Sequence, residues 1–108
     1  MRNLPGSKTF SITKTDSAAF SASETCDSDQ RIFITDVAAS SKQKGVDVIL
    51  YESDDGGDTK IYQQSIGDGK NMNQSFQTPL VVSSGKYLKA SVTEVSSEAR
   101  VNVSGYKA

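Results

Sequence analysis

Apolar and polar residues alternate along most of this chain, and the alternation is most regular near its C-terminal end. Residues 86–94 place Leu88, Ala90 and Val92 on one face and Tyr87, Lys89, Ser91 and Thr93 on the other. Residues 98–105 place Ala99, Val101 and Val103 inward and Arg100, Asn102 and Ser104 outward. Successive side chains of a strand point to opposite faces, so period two over runs this long predicts half-buried antiparallel strands. The link Val95-Ser96-Ser97 is short and polar, which predicts that the two runs fold back as a hairpin at the centre of the fold.

Shorter runs precede this pair. Residues 8–14 carry Phe10 and Ile12 on the inner face, and residues 18–23 carry Ala18, Phe20 and Ala22 on one face. In residues 31–39, Ile32 and Ile34 share one face and Phe33, Thr35 and Val37 the other. Residues 46–53 set Val46, Val48 and Leu50 against Ile49 and Tyr51, and the turn Asp54-Asp55-Gly56-Gly57-Asp58 leads into residues 59–66, a second hairpin. Residues 72–77 put Met72, Gln74 and Phe76 on one face. Thr78-Pro79 then interrupts the ladder, because proline has no N–H to donate, and leaves residues 80–82 as a short edge piece.

No segment has a helical period of useful length. The expected fold is all-β: an antiparallel two-sheet β-sandwich of about eight strands, jelly-roll or immunoglobulin-like. The Cys–Trp–Cys framework of a true immunoglobulin domain is missing. Residues 8–108 form a single domain, and residues 1–7, broken by Pro5-Gly6, form an N-terminal arm.

Composition narrows the function classes. Only 35% of the 108 residues are hydrophobic, so the core depends on their spacing. The formal net charge is −1, from 12 basic and 13 acidic residues without a basic patch, which argues against a nucleic-acid partner. No apolar run is long enough to span a membrane, and residues 1–6 lack the apolar centre of a signal peptide. Cys26 stands alone, so no intramolecular disulfide can form, and the chain reads as made in a reducing cytoplasm.

Histidine is absent, which removes Ser–His–Asp and Cys–His nucleophile systems and the common histidine metal sites. No other spacing singles out an acid–base pair, so neither an enzyme nor a cofactor is expected. The acidic turn Asp54, Asp55 and Asp58 is the candidate ion site, since calcium takes several oxygen ligands. Its spacing is not that of an EF-hand, and Asp and Gly also suit a plain hairpin turn. Asn73-Gln74-Ser75 and Asn102-Val103-Ser104 match the glycosylation pattern by chance. Tyr51, Tyr62, Tyr87 and Tyr106 are candidates for a stacking platform, with sheet tyrosines packed by their rings as the plainer reading. Arg2, Asn3, Leu4 and Pro5 of the arm are candidate partner-binding residues, gaining contact area by ordering on a neighbour.

Phe76-x-x-Pro79-Leu80, then Gly85-x-x-Leu88, then Val101-x-Val103-Ser104-Gly105-Tyr106 resembles small all-β virion proteins of tailed bacteriophages. These include capsid decoration (cement) proteins and fibre or spike domains. Ile32 to Thr35 followed by Val46 to Tyr51 fits the same layout, so the resemblance covers residues 31–106. It implies a virion structural protein that binds and stabilises a capsid lattice. The partner would be the major capsid protein or another virion protein, with a homotrimer forming on the lattice. The alternative it implies is a carbohydrate- or receptor-binding spike or tail domain, to which the tyrosines would contribute.

Overall fold

A computed structural model describes residues 8–25, 27–42, 44–93 and 98–108. The arm residues Arg2, Asn3, Leu4 and Pro5, Cys26 and the link Val95-Ser96-Ser97 lie outside the described residues. The described residues form eight strands: β1 (Lys8–Asp16), β2 (Phe20–Glu24), β3 (Ile32–Ser41), β4 (Val46–Asp54), β5 (Gly57–Ile66), β6 (Asn71–Val82), β7 (Tyr87–Thr93) and β8 (Ala99–Lys107). They make two antiparallel sheets of four, the first in the order β1-β8-β3-β6 and the second in the order β2-β7-β4-β5.

The pairing has one rule. β1 pairs with β8, β2 with β7, β3 with β6 and β4 with β5. The chain is therefore a long two-stranded ribbon, closed at the β4–β5 turn and rolled up so that alternate pairs fall in opposite sheets. That is the jelly-roll form of the expected sandwich.

The same rule corrects the expected C-terminal hairpin. β7 and β8 carry the expected inner and outer faces, but they lie in different sheets and do not pair. Each is a central strand with a partner on both sides. Period two fixes which face of a strand is buried and leaves its neighbours open. The β4–β5 hairpin is as expected, with Asp54 opposite Gly57 and Gly57 at φ 129.

The core is aliphatic. Ile32, Ile34, Val48, Leu50, Leu88, Val92, Val101 and Val103 are fully buried between the sheets, each contributing about 1.5–3 kcal/mol by leaving water. β3 departs from simple alternation. The ladder shifts between Ile34 and Asp36: against β8 Thr35 is an extra residue, while against β6 it stands opposite the four unpaired residues 76–79. The phase slips by one, and Val37 joins Ile32 and Ile34 inside instead of sharing the outer face with Phe33 and Thr35. β6 is one edge strand rather than two pieces, although residues 76–79, around Pro79, have no ladder partner. β2 begins only at Phe20, so Ala18 lies outside it, in a bend.

Candidate partner-binding surface

The bulge at Thr35 arranges the outer face of the first sheet. Above it, Thr9, Tyr106, Phe33 and Val81 form one row across β1, β8, β3 and β6. Below it the rows are Ser11, Ser104, Asp36 and Ser75, then Thr13, Asn102, Ala38 and Asn73, then Thr15, Arg100, Ser40 and Asn71. These four rows contain one acid and one base.

The first row is an apolar rib. The Phe33 and Tyr106 rings stack, with centroids 4.8 Å apart and planes 9° apart. Ring centroids separated by about one strand spacing mean that the two rings stand up from the sheet and cover each other's faces. Beside them Val81 is 43% exposed, the one large exposed hydrophobic side chain among the described residues. Gly105 fits under this rib because it has no side chain. A Cβ there would overlap the Phe33 carbonyl oxygen and lie 2.9 Å from its carbon.

The lower rows are amide- and hydroxyl-rich. Asn102 Nδ2 donates to Thr13 Oγ1 at 2.5 Å and to Ser11 Oγ at 3.2 Å. Asp36 accepts from Thr35 Oγ1 at 2.8 Å and from Ser75 Oγ at 2.7 Å, so the face's one carboxylate is already held by hydroxyls. Ala38 is too short to fill its position. Arg100, Asn102, Asn71 and Asn73 rise around it and leave a shallow depression of about 310 Å³.

The outer face of the second sheet is knitted to itself. Asp58 accepts from Ser53 Oγ at 2.7 Å and from Lys89 Nζ at 3.1 Å. The Ser53 hydroxyl holds the Asp58 carboxyl below its ordinary value, with Lys89 adding to the effect, and the bond to Asp58 raises Lys89. Lys89 also lies 5.7 Å from the centre of the Tyr51 ring. Ser65 donates to Asp47 at 2.6 Å, and Lys60 to Gln63 at 2.6 Å.

The acidic turn does not gather its carboxylates. Asp58 is opposite Ser53 while Asp54 is opposite Gly57, so the two side chains start toward opposite faces of the hairpin. Asp54 Oδ1 accepts the Gly56 N–H at 2.7 Å, the local turn bond typical of Asp, and Oδ2 is 3.7 Å from Lys86 Nζ. Asp55 is exposed at the tip. Among the described residues no three acidic or cysteine side chains cluster as a metal site would need.

The four tyrosines are also divided. Tyr51 and Tyr87 are on the outer face of the second sheet and Tyr106 is on that of the first. Tyr62 turns toward the core, meets Phe76 edge-on at 5.4 Å, and has its hydroxyl pKa raised by burial. The rib of Phe33, Tyr106 and Val81 was not singled out from sequence. Its signal was outward-facing large side chains on β3, β6 and β8, which line up only once the register is known. The chain matches no protein-family model and no curated protein.

Proposed function

We propose that this protein is a virion structural protein that binds and stabilises a phage capsid lattice as a decoration protein. In this reading the outer face of the first sheet lies against the major capsid protein or another virion protein. The observation that carries it is the rib of Phe33, Tyr106 and Val81 set in a nearly uncharged field of Asn, Ser and Thr. Protein interfaces tend to be built this way, with an aromatic centre, few charges and a polar rim. Many copies of a modest contact on a lattice hold by avidity. The jelly-roll order is compatible, since that fold recurs in viral capsid domains, although a fold alone does not fix a function.

The depression between Asn71, Asn73, Arg100 and Asn102 favours a second reading, carbohydrate binding, because amides and a guanidinium suit sugar hydroxyls. Jelly rolls also serve as lectins. The Phe33 and Tyr106 rings, however, each have one face taken up by the other, which leaves less aromatic surface for a sugar to stack on.

Co-sedimentation with capsid shells stripped of this chain separates the two. The first reading expects the chain to pellet with shells, and Val81→Asp to weaken binding about tenfold or more, as an interface centre does when a charge enters it. Absence from the shell pellet would overturn it. Binding to glycan beads that is lost in Asn73→Ala and Asn102→Ala would establish the second.

A further inference from the structure

The two lateral sides of the sandwich differ. On one side β1 and β2 are the edge strands, and the gap between them is stitched. Lys14 Nζ donates to the Ser21 carbonyl at 3.2 Å and lies 5.8 Å from the centre of the Phe20 ring, and Lys107 at the end of the neighbouring β8 pairs with Glu24 of β2 at 3.2 Å. These edges are also charged or short, which is how natural sheets discourage further pairing.

The opposite side, formed by β5 and β6, is bridged by the Tyr62–Phe76 ring contact and carries no ion pair across its gap among the described residues. β5 pairs only with β4 and β6 only with β3 among the described residues, so each offers an unpaired backbone edge. Residues 61–77 contain only two charges, Asp68 and Lys70, both in the connecting turn. The core is thin here too. Of the six half-buried hydrophobic residues packed against it, Ile61, Tyr62, Met72, Phe76 and Leu80 belong to β5 and β6, and only Ala22 lies elsewhere.

Both strands also share a local device. Gln64 Nε2 donates to the Ser65 carbonyl at 3.1 Å, and Gln74 Nε2 to the Ser75 carbonyl at 3.0 Å. In each, a side-chain amide meets a backbone acceptor on a strand that has one free edge.

We propose that this side is a self-association edge, and that a second copy of this chain adds β5 to β5 and β6 to β6 in antiparallel pairs. One two-fold axis perpendicular to both sheets makes the two pairings together, because β5 and β6 lie on the same side and each strand meets its own copy reversed. Each four-stranded sheet becomes eight-stranded, and the exposed flank of the core is covered. A second copy suits this edge better than a charged partner, since like meets like without repulsion. Pro79 confines the β6 pairing to the part of the strand before it. The outer face of the first sheet stays free, so this inference does not depend on the lattice reading.

The test is sedimentation of the full chain over a wide concentration range, beside the double variant Gln64→Lys and Gln74→Lys. Both glutamines are exposed, so the variant should keep its circular dichroism and melting temperature. The wild type should pass from one-chain to two-chain mass as concentration rises, while the variant, with like charges set against each other, stays at one. In the wild type, β5 and β6 amides should exchange more slowly as the dimer forms, a reading independent of the variant's folding. A wild type that remains a single chain, a trimer, or a dimer with unchanged exchange in β5 and β6 would overturn the proposal.

Discussion

A methyl group at Gly105 would run into the Phe33 backbone, which cannot move without disturbing the bulge at Thr35. Gly105→Ala should therefore cost about 1–3 kcal/mol by overpacking, and lower the melting temperature by about 4–8 °C for each kcal/mol. It should also disturb the rib, so binding and stability fall together. Val81→Asp changes an exposed side chain and should leave the melting curve in place while binding falls. At the acidic turn, Asp54 and Asp58 already have donors from their own chain. Calcium should then leave the melting temperature unchanged, because only a ligand that prefers the native state raises it. A rise with calcium that EDTA reverses would show that the turn rearranges to take an ion.

The β4–β5 hairpin and the β6–β7 turn depend on ionised groups. Glu52 Oε2 accepts the Ser83 N–H at 2.8 Å, and Oε1 is 3.3 Å from Lys86 Nζ. The Ser83 N–H is the main cause of a carboxyl pKa held below its ordinary value, and partial burial opposes it. Asp58 is lowered as well, and Lys89 raised. A carboxyl lowered in the folded state contributes stability that is full above its unfolded pKa and lost as pH falls through the folded one. A raised lysine contributes below its unfolded pKa and loses that contribution as pH rises through the folded one. Thermal melts should be flat between the carboxylate and lysine ranges and fall on either side. Glu52→Gln should lower the plateau by about 1 kcal/mol, the size of one hydrogen bond, and make the acid limb shallower. An acid limb identical to the wild type's would exclude Glu52 as a contributor.

Elements of this kind were more legible in the sequence than their neighbours. The buried faces of β7 and β8 follow from alternation alone, residue by residue. Their partners do not, because pairing in a rolled ribbon joins β8 to β1 across nearly the whole chain. The bulge left a faint trace, a spacing of three between Ile34 and Val37 amid spacings of two. That step is as easily read as a strand with both faces apolar.

At the scale of the whole molecule the described residues form a slab, 42 × 32 × 18 Å. Its broad faces differ in character. One is bound to itself through Lys89, Asp58 and Ser53, and the other presents an aromatic rib in a polar field. A slab with one such face is suited to lying on a surface. The face could not be read from the chain, because Phe33, Val81 and Tyr106 are far apart in sequence and meet only through register. The acidic turn and the tyrosines are conspicuous in the sequence, yet the fold sends Asp54 and Asp58 to opposite faces and divides the tyrosines between the two sheets, with Tyr51 and Tyr87 sharing one outer face.

The measurement that bears most directly on the central claim is hydrogen–deuterium exchange of the chain alone and bound to capsid shells. Exchange should slow in β3, β6 and β8 around Phe33, Val81 and Tyr106, with the β4–β5 turn unchanged. Protection centred on that turn, or an exchange pattern unaltered by shells, would contradict it.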